Sequence, residues 1–154
     1  MMTGSFLIFS VEGVKNALPL DVVLEVAPSV YITPLPQAPD AVRGTINYRG
    51  SLIPVFDLRR LFQFSPKPLH IDQCFLICQT NLRMTALIAD QVNGVASFAN
   101  DDIQDPGVIL PDLTRLKGVI KTQNGLIFIQ NINAFLSVED EQQTERLISE
   151  CSHG

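Results

Sequence analysis

Residues 44–60, GTINYRGSLIPVFDLRR, decide how the chain is read. Two runs with the β-branched and aromatic content of strands, Thr45 to Tyr48 and Leu52 to Phe56, meet at Arg49-Gly50, so the stretch predicts a tight hairpin. The second run ends in Asp57, a good helix N-cap, and predicts one helical turn after it. Asn47, Arg49, Asp57, Arg59 and Arg60 stand out as polar in so apolar a hairpin.

The rest of the chain reads the same way. Short apolar runs at Phe6–Val11, Ala17–Leu20, Val22–Val26, Val30–Thr33, Gly44–Tyr48, Ser51–Phe56, Phe75–Gln79, Thr85–Ala89, Val92–Phe98, Lys117–Thr122 and Leu126–Gln130 are separated by Gly, Pro and Asn. Asn124-Gly125 is the strongest turn signal. Helix is expected only after Asp57, after Asn131 and in an amphipathic tail from about Val138 to Ile148.

The chain also repeats itself. Phe6 matches Phe75, Ala17 Ala86, Leu18 Leu87, Asp21 Asp90, Val23 Val92 and Val26 Val95 at a spacing of 69; Gly44 matches Gly118, Ile46 Ile120, Ile53 Ile127 and Asp57-Leu58 Asn131-Ile132 at 74. Two copies of about five strands, each closed by a capped turn, suit small barrels, because closure removes exposed sheet edges. Positions alike in both copies are accounted for by folding. Positions that differ are candidates for function: Glu25 against Gly94, Asn47 against Lys121, Arg49 against Gln123, Pro54 against Phe128, Arg59 against Asn133 and Arg60 against Ala134.

A length of 154 residues with 46% hydrophobic content suits one domain, or two very small ones sharing a core. The longest apolar runs fall far short of the roughly 20 residues of a membrane span, and Met1 to Val11 lacks the features of a signal peptide, so a cytoplasmic location is expected. Of the net charge of -5, the tail carries Glu139, Asp140, Glu141, Glu145 and Glu150 against Arg146, which leaves residues 1–136 nearly neutral. No basic face for nucleic acid or an anionic membrane is visible. Cys74, Cys78 and Cys151 show no disulfide spacing, and His70-x3-Cys74-x3-Cys78 spreads over a strand too long for its side chains to meet at one metal ion.

Chemistry is poorly provided for. His70 lies in a Pro-rich connector and His153 one residue from the end. There is no GxSxG, phosphate loop, GxGxxG or HExxH, and Asp101-Asp102 reads as a solvated turn. The expectation is a protein that is not an enzyme and takes no cofactor or metal. Glu25 is the lone acid among Val22, Val23, Leu24 and Val26, and a bidentate bridge from it to Arg49 would hold the hairpin tip against the body. The run Val22-Val23-Leu24 is too continuous for simple alternation, so one of its faces is expected to stay open for docking.

The segment RGTINYRGSLIPVFDLRRLF resembles the signature of the CheW family, which typically reads G-x-x-NLRG-x-x-x-PV-x-DLR. ALPLDVVLEV, ITPLPQAPDAVRG, ALIADQVNGV and LKGVIKTQNGLIFIQNINAFLS extend the resemblance over the whole chain in the same order. It implies two five-stranded SH3-like β-barrel subdomains, interleaved over roughly 5–66 and 71–137 in a domain of residues 1–138, sharing a hydrophobic core, with a C-terminal helix in an acidic 139–154 tail.

The function it implies is an adaptor at membrane chemoreceptor arrays, coupling the cytoplasmic tips of chemoreceptors to the regulatory domain of the histidine kinase CheA. Matched position by position, Leu20 and Val23 are groove residues, Glu25 and Arg49 the interacting acid and arginine, and Asn47, Gly50, Pro54, Asp57 and Arg59 the signature. Tyr48 stands where the family usually has leucine, and Gln63 where many members have glycine. An adaptor of a pilus-motility or other non-flagellar array, and a small-barrel nucleic-acid or peptide-binding module, are the alternatives.

Overall fold

A computed structural model describes residues 3–108, 116–135 and 148. Its strands are β1 (Thr3–Val11), β2 (Val14–Pro19), β3 (Val23–Pro28), β4 (Val42–Tyr48), β5 (Ser51–Asp57), β6 (Cys74–Gln79), β7 (Met84–Ala89), β8 (Gln91–Ala99), β9 (Ile103–Gln104), β10 (Leu116–Thr122) and β11 (Gly125–Gln130). Two single-turn helices, α1 (Leu58–Leu61) and α2 (Ile132–Phe135), follow β5 and β11. Both start as their caps require: Asp57 Oδ1 accepts from the Arg59 N–H at 3.0 Å, and Asn131 Oδ1 from the Asn133 N–H at 3.2 Å. No helix among the described residues is long and apolar enough to cross a membrane.

The strands form one sheet in the order β8-β1-β2-β11-β10-β9 and another in the order β3-β6-β7-β5-β4. Neither sheet belongs to one half of the chain. The β1–β2 hairpin lies among strands of the second half, and β6–β7 among strands of the first. The registers correspond at the sequence spacings: Ile8 faces Ala17 as Ile77 faces Ala86, and Ile46 faces Ile53 as Ile120 faces Ile127. Even the parallel junctions match, Ile129 against Ala17 and Val55 against Ala86.

Each sheet then curls until its edges meet. In the five-stranded sheet the chain leaving β3 returns to the opposite edge, where Thr33 and Thr45 exchange backbone hydrogen bonds of 2.9 and 2.8 Å. In the other, the chain leaving β8 returns as β9 and pairs Gln104 with Val119 on β10. Closure brings backbone against backbone, and the repeated glycines make room: a Cβ on Gly44 would stand 2.1 Å from Thr33 O, and one on Gly118 would stand 2.4 Å from Ile103 Cγ2.

Alternation along the strands sorts the apolar residues into three cores. Phe6 and Ile8 point into the six-stranded sheet with Ile120, Ile127 and Ile129. Phe75 and Ile77 point into the five-stranded sheet with Ile46, Ile53, Val55 and Ile88. The intervening residues Leu7, Phe9 and Val11 of β1 and Leu76 and Cys78 of β6 meet between the sheets with Leu18, Phe56, Leu58 and Leu87. Strands buried on both faces have no polar side, hence the unbroken runs FLIF and FLIC. Burial in the shared core pushes the Cys78 thiol up to about 12.

Three expectations need correction. Val30–Thr33 is not a strand: Thr33 alone bridges, since Pro28, Pro34 and Pro36 remove donors on either side. Leu20 does not end β2 but opens a 3-10 turn, Leu20–Val22, after Pro19 sets φ at -52°. The short β9 has no sequence signal of its own and exists because the curled sheet offers it an edge. In the expected tail helix, Ile148 is helical and buried, and its other residues lie outside the described ones.

Candidate functional site

The two edges of the five-stranded sheet carry a polar cluster where they meet. Glu25 comes from β3 and Tyr48 from the end of β4, while Arg49 and Gly50 form the turn into β5 with φ of 50° and 86°. Two positive φ values in a two-residue loop match the twist of the flanking strands. Asn47 fixes the tip by accepting from the Gly50 N–H through Oδ1 at 3.0 Å. The Tyr48 hydroxyl donates to Glu25 Oε2, and Arg49 Nη2 donates to the same oxygen at 3.3 Å. The Arg49 guanidinium lies over the Tyr48 ring, 5.3 Å from its centroid.

The expected bidentate bridge from Arg49 to Glu25 is therefore not formed: Arg49 makes one contact, to the oxygen it shares with the tyrosine hydroxyl, and none to Oε1. With side-chain exposures of 75% and 38%, the ion pair contributes at most about 1 kcal/mol. The hydrogen bond to Glu25, then burial, raises the Tyr48 phenol above its ordinary value, and the Arg49 charge only partly opposes this. The second copy has Gly94, Thr122 and Gln123 at these positions and closes without such a cluster.

Apolar surface lies along β3 and at the mouth of the six-stranded sheet. Leu20, 39% exposed, borders a cavity of about 620 Å³ with Phe6, Pro19, Asp21, Ile103 and Lys117. Val23 is half-buried and packs on the shared core instead. Burial along β3 does alternate, so the open face is that of Leu24 and Val26, not of Val22 and Val23.

Pro54, Asp57 and Arg59 lie inside, whereas Arg60 is exposed. Pro54 is buried opposite Thr45, whose backbone N–H and C=O both bond Thr33; the pair is of the type that exchanges no hydrogen bonds, so β4 loses none to the proline. Asp57 is 2% exposed, caps α1 and accepts from Arg43 Nη1 at 3.1 Å. Arg60 Nη1 donates to Asp40 O at 2.6 Å.

Arg59, 7% exposed, donates to Glu12 in the β1–β2 turn through Nη1 and to Asp90 between β7 and β8 through Nη2 at 2.7 Å. Asp90 also accepts from Gln73 Nε2 at 3.0 Å and from the Glu12 N–H at 2.8 Å. Burial alone would raise the Asp90 carboxyl, but these donors together outweigh it and hold it below the usual carboxylate range. The equivalent contact in the second copy is neutral: Asn133 Oδ1 accepts from the Asn81 N–H at 2.7 Å.

The cluster of Glu25, Tyr48 and Arg49 was legible in part, since the acid and the arginine stand out as charges missing from the second copy. Tyr48 gave a weaker signal, an aromatic ring where the repeat has Thr122. Glu12 and Asp90 gave none as partners of Arg59. Among the described residues, no three His, Cys, Asp or Glu side chains are grouped to hold a metal.

The molecule is thus two small sheets closed on themselves and fused through a shared core, with a surface cluster on one of them. The CheW-like domain family model matches residues 5–140, and the chain belongs to that family. The chemotaxis protein CheW of Rhizobium meliloti is 25% identical over 112 residues, covering 71% of this chain and 72% of that protein. Protein FrzA of Myxococcus xanthus is 29% identical over 101 residues, covering 66% and 63%. The crystal structure of the scaffolding protein TtCheW from Thermoanaerobacter tengcongensis aligns at a TM-score of 0.80 with 28% identity, covering 91% of this chain and 92% of that one.

Proposed function

We propose that this chain is a chemosensory scaffold that binds the regulatory domain of the histidine kinase CheA and the cytoplasmic tip of a chemoreceptor at once, in the cytoplasm beside membrane receptor arrays. The observation that carries this reading is the Glu25, Tyr48 and Arg49 cluster: it is exposed, belongs to one copy of the repeat only, and is not needed to close a barrel. Leu20, Glu25, Asn47, Arg49 and Gly50 form the contact set, with apolar area from Leu24 and Val26 on the open face of β3 and Val23 supporting it from the core side. Pro54, Asp57 and Arg59 serve it from within by fixing the hairpin and α1. Its action is positional: charged groups at the rim set register and apolar surface supplies area.

The test is co-purification of the full chain with the kinase regulatory domain and, separately, with a receptor tip. Binding to both is expected. Binding to neither would overturn the reading, and salt-sensitive retention of DNA or RNA in place of the protein partners would favour a nucleic-acid module.

A further inference from the structure

Tyr48 belongs neither to the expected docking residues nor to the repeated positions that build the barrels. Its ring packs on the core of the five-stranded sheet while its hydroxyl reaches out to Glu25. Two donors of this chain, the Tyr48 O–H and Arg49 Nη2, share Glu25 Oε2, and among the described residues none takes Oε1. Arg49 keeps one contact of 3.3 Å and rests on the aromatic face, 75% exposed.

A glutamate and an arginine on adjoining edges would ordinarily close on each other through two parallel N–H···O bonds and spend both charges internally. Tyr48 interrupts that. Its O–H shares the one oxygen the arginine reaches, and its ring offers the guanidinium a resting place away from Oε1. Phenylalanine could supply only the ring, and leucine neither.

We propose that Tyr48 is a specificity-determining residue of the docking site. By satisfying Glu25 from within, it keeps Arg49 and the second carboxylate oxygen open to a partner. The surface that fits is a protein face presenting an acidic side chain to Arg49 beside a hydrogen-bond donor for Glu25. This inference rests on the docking function proposed above.

The experiment measures calorimetric affinity for the kinase regulatory domain with the wild type, Tyr48→Phe, Glu25→Gln and the double variant. Tyr48→Phe is expected to weaken binding about 3- to 10-fold, the net scale of one ordinary hydrogen bond. Because the hydroxyl acts through the carboxylate, that loss should vanish in the Glu25→Gln background. A second reading needs no partner. In a Tyr31→Phe background Tyr48 is the only tyrosine left, and Glu25→Gln should lower the midpoint of its ultraviolet titration.

Tight binding by the wild type with no loss in Tyr48→Phe, or an equal loss with and without Glu25, would overturn the role of Tyr48 alone. A wild type that binds no partner would overturn the docking reading and this one with it. In that case the phenol titration still reports whether the cluster exists, which separates the two failures.

Discussion

Arg59 Nη2 stands 2.7 Å from Asp90 at the point where the chain leaves the five-stranded sheet on β7 and enters the six-stranded one on β8. The same guanidinium holds Glu12 in the turn of the exchanged β1–β2 hairpin. One buried side chain thus joins α1 to the β7–β8 crossing between the sheets and to the β1–β2 turn of the six-stranded one, where among the described residues the second copy has a neutral contact of Asn133 with Asn81.

Removing Arg59 leaves Asp90 half covered without its cation. Arg59→Ala is expected to cost about 3–5 kcal/mol, the range for breaking a buried pair. At this chain length that lowers the melting temperature by roughly 6–20 °C. Arg59→Lys should recover little, since one ammonium cannot span two carboxylates as the planar guanidinium does. A melt of Arg59→Ala within about 2 °C of wild type would contradict the clamp.

Acid should weaken the same contact. The Asp90 carboxyl is held below its ordinary value of 3.8, so the folded chain releases this proton more readily than the unfolded one. Its contribution to stability is complete above the unfolded value and is lost as pH falls through the lower folded value. Urea midpoints are expected to drop as pH falls below the ordinary value of 3.8, and Asp90→Asn should flatten that dependence while lowering stability at pH 7. Parallel acid profiles for wild type and Asp90→Asn would rule it out.

Gly44→Ala tests the closing of the five-stranded sheet. The added methyl would meet Thr33 O at 2.1 Å, a backbone atom that cannot swing aside, so the bridge between Thr33 and Thr45 must open. A loss of about 1–3 kcal/mol is expected from such overpacking, with faster amide exchange at Thr33 and Thr45. Unchanged exchange at both amides would show that the seam closes some other way.

Arg49→Ala separates contact from folding. The side chain is 75% exposed and makes one long ion pair, so chemical denaturation should change by less than about 1 kcal/mol. Binding to the kinase regulatory domain should fall about tenfold or more, as at a charged contact residue. A variant that melts far below wild type would place Arg49 among the residues of the fold.

The strands themselves were legible because most are buried on one or both faces and bounded by Gly, Pro or Asn. The repeat was legible because matching positions need the same residues: Gly44 and Gly118 for close backbone approach, Asp57 and Asn131 for caps. The subtraction of one copy from the other then picked out Glu25 and Arg49, which the structure joins in an exposed ion pair. It also picked out Arg59 and Pro54, which the structure buries, and Arg60, which is exposed but bonds the Asp40 carbonyl. A residue missing from the second copy can be absent because the two copies pack differently, and sequence comparison does not tell that case from surface chemistry.

What the sequence by itself determined is local: hairpins from turn residues, capped turns from Asp57 and Asn131, and strands of a length and pattern that demand two closed sheets. Tertiary structure decided which strands share a sheet. Exchange of the β1–β2 and β6–β7 hairpins leaves every local pairing unchanged, so no local pattern records it; it is settled by the burial of Leu7, Phe9, Leu76 and Leu87 in one core between the sheets. Tertiary structure also decided the state of the opening hairpin. Glu25 lies 23 residues from Tyr48 along the chain, and only the curling of the sheet, edge against edge, turns tyrosine, glutamate and arginine into one exposed cluster.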